Sequence, residues 1–159
     1  GEEQLCAAVS RCWASAQNDR VQSYHQAQGK MAIFIQLLVP ADTALVAFSA
    51  NPVTGNTDEI VINATWGLGE SLVGGTVTPD SYTLQKDTLT LLERNIATKT
   101  VMTIRAVQEV REVPIPAPMQ ALSALNDEQV NAVAVLVQRL ESEMGWPVDI
   151  ECAFKDDTL

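Results

Sequence analysis

The spacing of apolar positions changes several times along the 159 residues, and each change marks an element. Near the start, Leu5, Ala8, Val9, Cys12, Trp13 and Ala16 recur at i, i+3 and i+4. That spacing predicts a helix over residues 2–27 with one core-facing stripe. Residues 31–39 form a continuous apolar run closed by Pro40, the pattern of a buried strand. A second run, 44–50, ends at Asn51 and Pro52. Val53 to Asp58 is turn chemistry, and residues 59–64 return as a strand. Residues 44–64 therefore read as a hairpin with a long loop.

Farther on, residues 81–85 and 88–92 alternate across Lys86-Asp87, which predicts a second hairpin. Thr100, Met102 and Ile104 alternate with Val101 and Thr103, so 99–105 reads as a strand. Residues 106–113 give a weaker pattern. Pro114, Pro116 and Pro118 predict an extended surface connector over 114–121. A helix follows over 127–144. Asn126 caps it, and Gln129 three residues on completes a capping-box pattern. Val130, Val133, Val137, Leu140 and Met144 make its apolar face, and Gly145 and Pro147 stop it. Residues 148–154 form a last strand. The predicted class is α+β, a mainly antiparallel sheet flanked by helices, with residues 1–159 as one domain.

Candidate chemistry sits between these elements. The strand at 59–64 runs into NATWGLGESLVGGTVTPD, Asn63 to Asp80. Gly67, Gly69, Gly74 and Gly75 let backbone approach a ligand or another strand closely, and Glu70 lies among them. A lone GxGE is weak and more often marks a turn in an ordinary sheet. At the other end, Asp149 and Glu151 are two apart in a strand and share a face. Alone, such a pair is an ordinary solvated strand surface. Gln36, near the end of an apolar strand, needs hydrogen-bond partners or solvent.

Together these strings resemble the nucleotide-binding domain of the phosphoenolpyruvate synthase and pyruvate phosphate dikinase family. The residues that carry the resemblance are MAIFIQLLV (31–39), ALVAFSANPVTG (44–55), NATWGLGESLVGGTVTPD (63–80) and DIECAF (149–154), in the family's order and over almost the whole chain. The resemblance implies the ATP-grasp fold, here its C-terminal part. It implies that Glu151 ligates Mg²⁺ and helps organise ATP, that Asp149 is a supporting acid, and that Glu70 faces the transferring phosphates and the cation. It places Gln36 and the Leu38 backbone at the adenine. Cys152 departs from the family's usual aromatic residue at that position, but its side chain points away from Glu151. Leu45 stands where the family usually has Gly, which puts that turn in question. Thr76 and Asp80 are expected to be structural, and Trp13, Trp66 and Trp146 to be packing residues. His25, the single histidine, matches no phosphocarrier context.

Charge adjusts this picture. The net charge is −10, which argues against nucleic acid and anionic membrane surfaces. It also fits poorly with an anionic nucleotide unless cations come from elsewhere. The resemblance implies that an N-terminal subdomain and a Gln-x-Arg strand supply them, so the chain is expected to be a fragment, inactive by itself. Cys6, Cys12 and Cys152 form no metal-binding or disulfide pattern and are expected to be buried reduced thiols in a cytoplasmic protein. No apolar run approaches 18 residues, so no membrane span is expected.

The function implied by the resemblance is the ATP-binding part of a phosphoenolpyruvate synthase-like phosphotransferase. Such an enzyme uses ATP to phosphorylate a carrier histidine on another domain, and pyruvate then takes the phosphoryl group. The alternatives are a rifampicin phosphotransferase domain, with a different acceptor, and a catalytically inactive stand-alone binding module.

Overall fold

The computed structural model describes residues 2–16, 32–106 and 109–159. The chain divides into two units, Gly1–Leu38 and Val39–Leu159. The first contains helix α1, Glu2–Ser15. Its apolar stripe makes the helix but is not buried: no residue of α1 is fully covered, and Leu5 and Trp13 are about half exposed. Amphipathic spacing specifies a helix, whereas burial also needs a partner surface. Residues 17–27, with His25, lie outside the described residues, as does Met31. Residues 32–38 are not a strand, contrary to expectation, and Phe34, Ile35 and Leu37 are largely exposed.

The second unit is built on a five-stranded antiparallel sheet. Its strands are β1 (Thr43–Phe48), β2 (Glu59–Trp66), β3 (Asp80–Gln85), β4 (Leu91–Asn95) and β7 (Asp149–Phe154), in the order β4-β3-β2-β1-β7. Two more strands, β5 (Val101–Arg105) and β6 (Val110–Pro114), form a separate hairpin. β1 and β2 are the predicted hairpin, and β3 and β4 the second one. β7 lies at the sheet edge, paired with β1 alone. Leu45 is 1% exposed in the middle of β1 rather than in a turn, so a side chain there fills the core.

One face of the sheet is covered by α3, Asp127–Met144. Leu45 and Ala47, then Ile60, Ile62 and Ala64, then Tyr82 and Leu84 meet Val130, Val133, Ala134 and Val137 of the helix. Each aliphatic side chain larger than alanine that is buried this way contributes roughly 1.5–3 kcal/mol relative to exposure. The ends of α3 are those read from the sequence. Asn126 accepts from the Gln129 N–H at 2.8 Å, and the Gln129 side chain accepts from the Asn126 N–H at 2.9 Å. Gly145 ends the helix at φ +78°.

The proline-rich segment is more compact than an extended connector. Ala117–Met119 make a 3-10 turn, the Gln120 side chain donates to the Ile115 carbonyl at 3.0 Å, and Ile115 is buried. Three prolines restrict φ but leave room for a turn between them. After β7, Lys155 and Thr158 exchange backbone hydrogen bonds. Asp42 joins that turn to the start of β1. Its carboxylate accepts from Lys155 Nζ at 2.8 Å and from the Asp156 N–H at 3.0 Å.

Candidate functional site

The sheet face opposite α3 carries the chemistry, and strand register lays it out as a grid. Residues paired across strands share a face. Ala44 lies between Thr65 and Ala153, Val46 between Asn63 and Glu151, and Phe48 between Val61 and Asp149. Ser81 and Asn95 extend the middle row beyond Asn63. Thr83 and Glu93 extend the row of Asp149. The floor is apolar at Val46, Phe48 and Val61, and its rim bears carboxylates, amides and hydroxyls. Asp149 and Glu151 share this face, as expected, and both are exposed.

No lysine or arginine lies in the grid. Lys86, Arg94, Lys99, Arg139 and Lys155 are each engaged by a carboxylate of the chain. A phosphate brought to this face meets acids and amides, so a cation has to stand between them. Hard carboxylate and amide oxygens suit Mg²⁺, which is usually held by one or two carboxylates with substrate phosphates. Among the described residues, no three His, Cys, Asp or Glu side chains gather as a metal cage. The donor set fits a cation shared with a phosphate ligand.

The glycine loop reaches over the same face. Gly67 has φ +78°, its N–H donates to the Asp42 carbonyl, and it bridges to Thr103 of β5. A Cβ at Gly67 would stand 2.3 Å from the Thr103 carbonyl oxygen, so only glycine permits this approach. The Leu68 N–H then donates to that oxygen at 2.8 Å. At Gly69 a Cβ would lie 3.4 Å from the Ala44 Cβ. The loop therefore crosses the grid at Ala44, next in line to Val46. Helix α2, Glu70–Val73, starts there, with Glu70 exposed. The Thr76 N–H and hydroxyl both donate to the Ser71 carbonyl, which ends the turn and gives Thr76 a structural role. The Thr65 and Ser71 hydroxyls are buried without hydrogen-bond partners.

Asp80 is structural too. It is fully buried, its Oδ1 accepts from Lys99 Nζ and the Ala97 N–H, and its Oδ2 accepts from the Ala124 N–H at 2.7 Å. The adenine candidates, Gln36 and Leu38, are both exposed on coil in the first unit. Cys6 and Cys12 are exposed rather than buried; Cys152 is half-buried, and burial pushes its thiol pKa up. All three thiols are free. Trp66 packs against the core, whereas Trp13 and Trp146 are more than half exposed.

Asn63 has no place among the sequence-derived candidates, although it opens the NATWGLGE string. Alternation from Val61 through Asn63 to Thr65 was the available signal, but it needed the register with β1 to place Asn63 across from Glu151. A cleft of about 520 Å³ lies elsewhere, lined by Asp58, Gln85, Lys86, Gln138 and Glu141 among others. It holds none of the motif residues. Its Lys86 and Glu141 are paired with each other at 3.0 Å. Among the described residues no helix is long and apolar enough to cross a membrane.

Comparison with known proteins agrees with this architecture. Residues 1–159 match the family described as pyruvate phosphate dikinase, AMP/ATP-binding domain. The chain is 40% identical to the phosphoenolpyruvate synthase of Pyrococcus furiosus, over 99% of this chain and 21% of that protein. It is 35% identical to an uncharacterized phosphotransferase, YvkC, of Bacillus subtilis, over 99% of this chain and 20% of the relative. It is 36% identical to the prodigiosin synthesizing transferase PigC of Serratia marcescens, over 100% of this chain and 18% of the relative. In each case it spans about a fifth of the relative's length. The chain belongs to the pyruvate phosphate dikinase AMP/ATP-binding domain family.

Proposed function

We propose that this chain is the ATP-binding part of a phosphoenolpyruvate synthase-like phosphotransferase, in which ATP phosphorylates a carrier histidine on another domain and pyruvate then receives the phosphoryl group. The observation that carries the reading is the shared face of Asp149 and Glu151 beneath the Gly67–Gly75 loop. Mg²⁺, when bound, neutralises and orients the phosphate oxygens. Glu151 and Glu70 would hold it, with Asp149 as the supporting acid. Gln36 and the Leu38 backbone would meet the adenine. The chain's part in the reaction is positioning and charge control, which is most of what phosphoryl transfer asks of a protein.

A second reading changes only the acceptor. Chains similar over their whole length occur in relatives named for other transferase activities. Rifampicin is the alternative acceptor the sequence suggests. The protein made from its complete gene, given ATP, Mg²⁺, water and pyruvate, is expected to form AMP, phosphate and phosphoenolpyruvate together. ATP consumption that does not respond to pyruvate would overturn the synthase reading. Pyruvate-independent phosphorylation of rifampicin would support the alternative.

A further inference from the structure

Asn63 sits where its residue type is a poor local choice. It lies inside β2, a strand paired on both sides, and asparagine is depleted in strands. Its side chain is half-buried, yet no hydrogen bond of its amide accompanies those of its neighbours. Asn95, in the same row, differs: its amide donates to Glu93 at 2.9 Å. A residue that breaks the local rule without a local compensation is where function is expected.

Register supplies the function. Asn63 and Glu151 flank the same residue, Val46, from the two sides of β1. Two strand spacings put their Cα atoms on the order of 10 Å apart. A glutamate and an asparagine side chain extended toward each other over a valine, with one cation at ~2.1 Å from each oxygen, close a gap of that size. The valine is too short to block it. The glycine loop crosses the adjacent row at Ala44, so it overhangs this position.

We infer that Asn63 is a further ligand of the divalent cation, its amide oxygen facing the Glu151 carboxylate across Val46. The inference rests on the nucleotide–cation reading of this face. A neutral amide adds an oxygen donor without adding charge to a face that already carries Asp149, Glu151 and Glu93. It also leaves an N–H group free to donate to a phosphate oxygen.

The test is Mn²⁺ affinity measured by electron paramagnetic resonance, with and without ATP, on the protein made from its complete gene. Asn63→Ala should weaken Mn²⁺ binding in the presence of ATP roughly tenfold or more, the scale of losing a group that supports a metal site. Asn63→Thr, a better strand former, should fold at least as well and lose at least part of that affinity. Asn63→Asp keeps the oxygen and should hold Mn²⁺ within a few-fold of the unaltered protein. Metal-free ATP affinity should change little in all three. If Asn63→Ala and Asn63→Thr bind Mn²⁺ normally while Glu151→Gln does not, the role of Asn63 is overturned and the proposed function stands. If all three variants lose metal-free ATP binding equally, Asn63 is structural and the inference falls. If the unaltered protein binds no Mn²⁺ with ATP, both readings fall together.

Discussion

Lys99 Nζ lies 2.5 Å from Asp80 Oδ1, and both side chains are completely shielded from solvent. The pair ties the end of the glycine-loop segment to the strand that follows β4. It is satisfied beyond the ion pair, since Lys99 also donates to the Ala97 carbonyl at 3.0 Å. Removing one partner strands a buried charge. Lys99→Met is therefore expected to destabilise the protein by about 3–5 kcal/mol. The double variant Asp80→Asn with Lys99→Met should recover a large part of that loss. Urea unfolding of the single and double variants measures the difference. A single variant that unfolds at the midpoint of the unaltered protein would contradict the account.

Gly67 and Gly55 separate two glycine effects. Both have positive φ, but a Cβ at Gly55 would meet nothing within 4 Å, whereas one at Gly67 would strike Thr103. Gly55→Ala should cost about 1 kcal/mol, from backbone conformation alone. Gly67→Ala should cost clearly more and loosen the β5–β6 hairpin from the loop. Thermal melting gives the first quantity, and hydrogen exchange at the Leu68 N–H, which donates to Thr103, gives the second.

Asp42 and Lys155 make the fold's pH response local. The Lys155 hydrogen bond, then the Asp156 N–H, holds the Asp42 carboxyl below its ordinary value; the Asp42 hydrogen bond raises Lys155. A depressed carboxyl contributes stability that is present above its unfolded pKa of 3.8 and lost as pH falls through the lower folded value. A raised lysine contributes stability present below 10.5 and lost as pH rises through the higher folded value. The contribution is thus flat from about pH 5 to 9 and fades at both ends. Asp42→Asn should lower the melting temperature slightly at pH 7 and make no difference below pH 3. The effect should be small, because the pair is exposed and screened by salt. A deficit that persists unchanged in acid would count against this pairing.

Glu151 is exposed and contributes to no hydrogen bond or ion pair within the chain that would hold the fold. Glu151→Gln should leave the unfolding midpoint nearly unchanged. In the protein made from its complete gene, it should lower turnover by roughly two decades, because metal-assisted charge stabilisation supplies several kcal/mol and each decade is about 1.4 kcal/mol. Steady-state rates across a magnesium titration test this. Near-normal turnover at limiting magnesium would remove Glu151 from the ligand set.

Much of the second unit could be read from the sequence because its signals are local. The caps of α3 are chemistry between Asn126 and Gln129, three residues apart, and they form as the sequence predicts. The alternation of Asp149 and Glu151 is a property of any strand, so their shared face needed no tertiary information. The edge position of β7 was anticipated through the family resemblance rather than through spacing. The motif strings likewise identified the family, because backbone approach at a glycine loop restricts residue choice strongly.

Other features were decided only by tertiary structure. Residues 32–38 have the apolar run of a strand, but a strand exists only where a neighbour satisfies its backbone groups, and none does so here. The stripe of α1 predicted a helix correctly and burial incorrectly, because amphipathic spacing says nothing about what lies opposite. The Asp80–Lys99 pair joins residues 19 apart through a reversal that no periodicity encodes. Asn63 acquires its place opposite Glu151 from pairing with a third strand between them, which the sequence of either strand alone does not contain. The sequence by itself determined the elements, their caps and the family, since those depend on contacts within a few residues. Only the tertiary structure determined which side chains share a ligand-facing surface, because that depends on the register of strands far apart in the chain.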